Sequence, residues 1–412
     1  MIAKIFGNSK VSGEILVSGA KNAALPILTA ALLSSKKVEL SRIPELADVQ
    51  EMISMMRYAG VQVSFKDNEV SLTVSNLKGD ISDFSSKIRA SILFLGPLAL
   101  KTGRSKVPYP GGCSIGKRPI DIHLNGLKKL GFEVSTEKEF VEAVPMHRFK
   151  HVNIRLSFPS VGATEHLMTT ASMMKDTETT LSNCAKEPEI VDLQNFLNAM
   201  GAQIVGAGTS KIHVKGVSHF RSVHYEIIGD RIEAGTYAIL AMASGGDLII
   251  RGIAPSTLNF VGDLRKMGGN IAIFENSMRI KSSNLNPVEV NTAPYPGFPT
   301  DLQPQITVLA CKAKGISKIT ENIFESRFEH VPELKKMGAN VSVVGQTLEV
   351  TGPQTLHGAK LVGKDLRETA AITIAAAIAD GSSEIENFEI LFRGYERVVE
   401  KLDRVGVKTV VS

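Results

Sequence analysis

The stretch VPYPGGCSIGKRPIDIHLNG places one thiol, Cys113, among Gly111, Gly112 and Gly116 and next to Lys117 and Arg118. Its Pro and Gly content reads as a loop, and a loop cysteine beside cations is where thiol acidity can be tuned below its ordinary value of about 8.5. From local features alone it is either a reactive thiol or an incidental surface cysteine. Cys184 and Cys311 sit in apolar segments and read as small packing residues. Arg118, Arg327, Arg367 and Arg393 lie in KRPID, FESRFEH, KDLRET and LFRGYER, all turn-like or helix-start contexts. Their planar forks suit phosphate and carboxylate. Asp301, in PGFPTDLQPQ, reads either as a general base or as a helix cap. Taken singly, each of these arginines reads as a surface salt bridge.

The elements that must position these residues recur. A charged amphipathic helix, an apolar residue, a Gly and an alternating strand appear six times, with the Gly at Gly60, Gly131, Gly201, Gly268, Gly338 and Gly406, spaced by 71, 70, 67, 70 and 68 residues. Each Gly stands where a helix end favours a left-handed residue. A second phrase, a polar start followed by a nearly all-apolar helix, recurs with a similar period: KNAALPILTAALL, IRASILFLGPLAL, GATEHLMTTASMM, DRIEAGTYAILAMA, TDLQPQITVLACKA and DLRETAAITIAAAIA. Helices apolar on most faces must be buried. Six units in two domains predict three units per domain, an α/β fold of two inverse prisms with sheets outside and helices inside.

The polar residues opening the buried helices are Lys21 and Asn22, Arg89, Thr164, Arg231 with Glu233, Asp301 with Gln303, and Arg367. Asp230, Thr300 and Asp365 read as caps. Arg89, Arg231 and Arg367 oppose the helix dipole, which a bound anion explains. With 412 residues, 43% hydrophobic and 22% charged, the chain suits two globular domains. A net charge of +5 without a basic run gives no reason to expect nucleic acid. Pairs such as Lys128-Lys129 and Lys335-Lys336 read as solvated helix faces. Three scattered cysteines give no disulfide framework or zinc site and suit a reducing compartment. No apolar stretch reaches the roughly 18 residues of a membrane span, and the N-terminus has no signal core, so a cytoplasmic protein is expected.

The stretches SGAKNAA, PGGCSIGKRPIDIH, PSVGAT, KEPEIVD, DRIEAGT, PGFPTDLQPQ, FESRFEHVPEL and DLRETAA, in this order, resemble the UDP-N-acetylglucosamine 1-carboxyvinyltransferase (enolpyruvyl transferase) family nearly end to end. The resemblance implies the enolpyruvyl transferase fold, with one domain of residues 1–20 and 230–412 and another of 21–229 carrying the Cys113 loop. It implies phosphoenolpyruvate and UDP-N-acetylglucosamine as substrates, no metal or cofactor, a monomer or weak homo-oligomer, and a place at the start of peptidoglycan synthesis. By the same resemblance Lys21, Arg118 and Arg393 hold the phosphoenolpyruvate phosphate and Arg367 its carboxylate. Cys113 transfers a proton to C3, and Asp301 takes the sugar hydroxyl proton. Asn22 and Glu187 match further site residues, Arg327 joins the cations, and Arg89, Pro119, Ile120, Asp121, Ile122, Ser160, Val161, Gly162 and Ile323 match contacts to the UDP-sugar. One departure is Phe392, where the family usually has Asp before the RGY segment. The alternatives are a weakened paralogue that binds UDP-sugars and the shikimate-pathway enolpyruvyl transferase, which lacks the Cys-bearing loop. RNA 3′-phosphate cyclases share the repeats but need a nucleotidylated His, and His123, His166 and His330 have no such context.

Overall fold

The computed structural model describes residues 1–86, 88–111, 119–282, 284–325 and 327–412. The expectations for Cys113 and Arg118 fall outside the described residues. The described chain forms two compact units, one of Met1–Ser18 with Gly229–Ser412, the other of residues 19–111 with 119–228.

In the unit running from residue 19 to 228, the helices are α1 (Lys21–Ala31), α2 (Ala47–Tyr58), α3 (Leu95–Thr102), α4 (Asp121–Lys129), α5 (Val161–Ser172) and α6 (Pro188–Ala199). In the other they are α7 (Arg231–Ala243), α8 (Val261–Lys266), α9 (Gln303–Ala310), α10 (His330–Lys336), α11 (Leu366–Ile378) and α12 (Val398–Arg404). The odd-numbered helices come from the apolar phrase, apart from their first residues. Every residue of α7, α9 and α11 is buried, and so is α1 from Ala23 and α5 from Ala163. A chain with no solvent-facing helix stripe can form no surface helix, so these lie at the centre of their units, each with its own apolar core.

The even-numbered helices are amphipathic and end as the spacing predicts. Gly60, Gly131, Gly201, Gly268, Gly338 and Gly406 all have φ between +92° and +108°, a left-handed conformation that a Cβ disfavours. Each is followed by a short strand, from Val61–Lys66 to Thr409–Val411. Lys128, Lys129, Lys335 and Lys336 are exposed in the last turns of α4 and α10, where cations favour the dipole.

Among the described residues the strands form five four-stranded sheets and one three-stranded sheet. Each four-stranded sheet joins one parallel pair to antiparallel neighbours, as where Asp247–Arg251 lies parallel to Ser12–Leu16 and antiparallel to Ser277–Ser282. In the three-stranded sheet the place of the parallel neighbour is kept by a single bridge, Asp80 to Lys106. Sheets with a buried and a solvated face around all-apolar helices are the inverse of the usual doubly wound layering. Among the described residues no helix is long and apolar enough to cross a membrane.

Candidate active site

The unit containing α7, α9 and α11 brings three of the expected residues together. Asp301 lies in the 3-10 turn Thr300–Leu302 that opens α9, and Arg367 lies in the first turn of α11. Arg367 donates from Nε at 3.2 Å and Nη2 at 3.0 Å to Asp301 Oδ2, while Arg327 Nη2 donates to Oδ1 at 3.0 Å. The guanidiniums are 4% and 2% exposed and the carboxylate 26%, so the cations lie beneath it. Burial pushes the Arg367 pKa down, but Asp301, Tyr395 and Asp230 together outweigh burial and the net direction is up. Arg367 therefore stays charged.

Aromatic faces fix both guanidiniums. Arg367 stacks over Tyr395 at 5.5 Å and Arg327 over Phe324 at 5.3 Å. Arg327 Nη1 also donates to Thr300 Oγ1 at 3.0 Å, and that hydroxyl donates to Glu321 Oε2 at 2.9 Å. Thr300 is therefore not the cap its position suggests, because its hydroxyl is committed to Arg327 and Glu321. Asp230 and Asp365 are caps: Asp230 accepts from Ile232 and Glu233, and Asp365 accepts from Arg367. Glu321 Oε1 also accepts from the backbone N–H of Ile323, the expected sugar contact, at 2.8 Å.

The remaining cations of this unit have protein partners. Arg231 donates to Asn259 at 3.4 Å and lies 5.7 Å from the Tyr295 ring. Arg393 is half-buried at the end of the 3-10 helix Phe388–Arg393. Phe392 packs edge-on against Phe388 with centroids 6.3 Å apart. The residue that departs from the family pattern is thus part of the apolar packing of that short helix. Behind the clasp, His330 and Glu368 are buried, with both His330 ring nitrogens and Glu368 Oε2 lacking a hydrogen-bond partner. Burial first lowers the His330 pKa to about 3 and raises that of Glu368 to about 8, so both are neutral at neutral pH.

The second unit holds the other expected residues. Lys21 opens α1, where Ala20 offers no side-chain cap, and its ammonium pairs with Asp48 of α2 at 3.3 Å. Asn22 follows it, half-buried. Arg89 Nη2 donates to the carbonyl of Pro119 at 3.0 Å, tying the start of one short helix to the segment Pro119–Ile120 that leads into α4. Asp121 and Ile122 form the first turn of α4. Ser160 caps α5 through Ala163 N–H, and a Cβ at Gly162 would meet the His123 ring at 3.4 Å, an ordinary van der Waals contact. Glu187 precedes α6 and is nearly buried. Beneath these starts, His166 Nδ1 lies 3.2 Å from His123 Nδ1, and burial lowers the His166 pKa to about 3. Glu165 is raised well above the carboxylate range, first by burial and then by Glu189 and Glu187.

Sequence reasoning missed Tyr395, Phe324, Glu321 and Asp48. Phe324 lies three residues from Arg327, which was a usable signal, since an aromatic near a buried Arg is a candidate platform, whereas Tyr395 is near Arg393 in sequence but supports Arg367. Glu321 and Asp48 carry no such signal. Cys184 and Cys311 are the packing residues their surroundings imply, with burial raising their thiol pKa values to about 11 and about 12. Among the described residues no group of three or more His, Cys, Asp or Glu side chains is arranged to hold a metal.

The enolpyruvyl transferase NikO from Streptomyces tendae superposes with a TM-score of 0.89 over 99% of this chain and 98% of its own, at 23% identity. EPSP synthase from Acinetobacter baumannii superposes with a TM-score of 0.78 over all of both chains, at 17% identity. The family model for EPSP synthase (3-phosphoshikimate 1-carboxyvinyltransferase) matches residues 5–402. The fold is therefore that of the enolpyruvyl transferases. The UDP-N-acetylglucosamine 1-carboxyvinyltransferase of Thermotoga maritima is 49% identical over 98% of this chain and 96% of its own, and one from Carboxydothermus hydrogenoformans is 42% identical over 98% and 97%. The chain belongs to this family of UDP-N-acetylglucosamine 1-carboxyvinyltransferases.

Proposed function

We propose that this chain transfers the enolpyruvyl group of phosphoenolpyruvate to the 3′-hydroxyl of UDP-N-acetylglucosamine and releases phosphate. The Arg327–Asp301–Arg367 clasp carries the reading within the family: two buried cations with a donor still open on each, Arg327 Nε and Arg367 Nη1, flank one carboxylate. That is the equipment for binding an anion and accepting a hydroxyl proton in one place.

In this reading the sugar oxygen bonds to C2 of phosphoenolpyruvate as Asp301 takes the hydroxyl proton and Cys113 delivers a proton to C3. The C2–O bond to phosphate then breaks and C3 gives a proton back, restoring the double bond. Lys21, Arg118 and Arg393 hold the phosphate, and Arg367 the carboxylate. Asn22 and Glu187 complete the site, while Arg89, Pro119, Ile120, Asp121, Ile122, Ser160, Val161, Gly162 and Ile323 hold the UDP-sugar. The step requires no metal or cofactor. The reaction belongs to the cytoplasm and to the start of peptidoglycan synthesis, and the working form is a monomer or weak homo-oligomer. Phosphate release is the test, with phosphoenolpyruvate plus either UDP-N-acetylglucosamine or shikimate 3-phosphate. Release with the UDP-sugar alone is expected, and release only with shikimate 3-phosphate, or with neither acceptor, overturns the proposal.

A further inference from the structure

Tyr395 is 2% exposed, and its side chain meets all three central helices of its unit. Its hydroxyl lies 2.9 Å from Thr236 Oγ1 on α7 and 3.3 Å from Gln305 Nε2 on α9, and its ring supports Arg367 of α11. The direction of the hydrogen bonds follows from what each partner has left to give. Thr236 spends its own proton on the Ile232 carbonyl at 2.9 Å, so the Tyr395 hydroxyl donates to Thr236 and accepts from the Gln305 amide. With both bonds fixed the ring cannot slide, and the guanidinium above it keeps its plane.

That plane matters because Arg367 spends Nε and Nη2 on Asp301 and leaves Nη1 buried without a partner. A tilt would loosen the carboxylate and turn the open donor together. Tyr395 also follows Arg393 by two residues, so the anchor that holds the ring fixes the segment bearing a second expected cation.

We propose that Tyr395 is a positioning residue: tied by its hydroxyl to α7 and α9, it orients the Arg367 guanidinium and through it Asp301. Its effect on turnover rests on the enolpyruvyl-transfer reading, whereas its effect on the guanidinium does not. Tyr395→Phe keeps the ring and removes the hydroxyl, with its bonds to Thr236 and Gln305 and its direct electrostatic support of Arg367. Thr236→Val removes one of them without touching Arg367 or Asp301. Tyr395→Leu removes the platform.

Each variant is compared with the full chain by steady-state kinetics and by the Arg367 Nε–H nuclear magnetic resonance signal, recorded without substrates. For Tyr395→Phe, kcat/KM for phosphoenolpyruvate should fall about tenfold while KM for UDP-N-acetylglucosamine stays within about twofold. Thr236→Val should give a smaller change of the same kind. The Arg367 Nε–H signal, sharp and slowly exchanging in the parent, should broaden in Tyr395→Phe and more so in Tyr395→Leu. Loss of thermal stability with unchanged kinetics and an unchanged Arg367 signal would mean a purely structural tyrosine and overturn the proposal. If the parent releases no phosphate but the signal responds, the activity reading falls and the positioning role stands.

Discussion

Glu368 should make the folded chain less stable as pH rises through neutrality. Its side chain is 3% exposed, accepts one bond from the Glu329 backbone at 3.2 Å and leaves Oε2 without a partner. Burial first, and then the Asp365 and Glu329 carboxylates, raise its pKa from 4.5 to about 8, with Arg327 and the Glu329 N–H acting the other way. Below about pH 4.5 the folded and unfolded chains both hold the proton and the group is neutral to stability. Between there and about 8 only the folded chain holds it, so the unfolded state binds fewer protons and stability falls by about 1.4 kcal/mol per pH unit. The loss is complete above about 8 and is on the order of 5 kcal/mol. Glu368→Gln keeps the acceptor for Glu329 N–H and cannot ionise. Urea unfolding of both chains from about pH 6 to about pH 9 should give a gap in favour of the Gln chain that widens by about 1.4 kcal/mol per unit and levels off above about 8. Other titrating groups are common to both chains and cancel. Parallel stability curves would refute the argument, because they would mean that the carboxyl is solvated or paired when ionised.

Asp301→Asn should lower turnover roughly a hundredfold or more with UDP-sugar binding largely kept, and should also lower the unfolding temperature, because it removes the charge between two buried guanidiniums. Near-normal turnover would leave Asp301 only its ion pairs. Gly60→Ala should destabilise by more than Gly406→Ala: both need a left-handed residue, costing about 1 to 2 kcal/mol, but a Cβ at Gly60 would lie 2.0 Å from the Asn76 carbonyl oxygen, against 3.7 Å from that of Lys10 at Gly406. Equal unfolding midpoints would contradict that geometry. Maleimide should label Cys113 alone in the folded chain and Cys184 and Cys311 only after unfolding, since both are buried with raised thiol pKa values. Labelling of Cys184 in the folded chain at the rate of Cys113 would sink this.

The repeats were legible because their signals are local. A left-handed Gly after an amphipathic helix needs no knowledge of the rest of the chain, and six such positions at nearly equal spacing divide it into six units. The buried helices were legible for the same reason, since α7 and α11 offer no polar face to turn toward water. What the pattern could not give is the loss of a strand in one sheet, where Asp80 keeps only a bridge to Lys106. The residues around Asp80, NLKGDISDF, are too short of alternation to distinguish a strand from a bridge.

At the candidate site the residue types were legible and their partners were not. Arg231, Asp301 and Arg367 stand at successive helix starts, 70 and 66 residues apart, which is close to one repeat each time. When α7, α9 and α11 pack against one another, such equivalent positions are carried toward the same end of the unit. Asp301 bonds Arg367 there, and Asp230 is among the charges acting on Arg367. Three identical residues could not share that place, because like charges would meet in a poorly solvated spot. The repeat must therefore break its own symmetry where its helix starts converge, and it does so with Asp301, whose carboxylate pairs with Arg367 of the next repeat. A cation at a helix start does call for an anion, as its position against the dipole implies. For Arg367 that anion is Asp301, from the neighbouring repeat, and the donor it leaves for a further anion is Nη1.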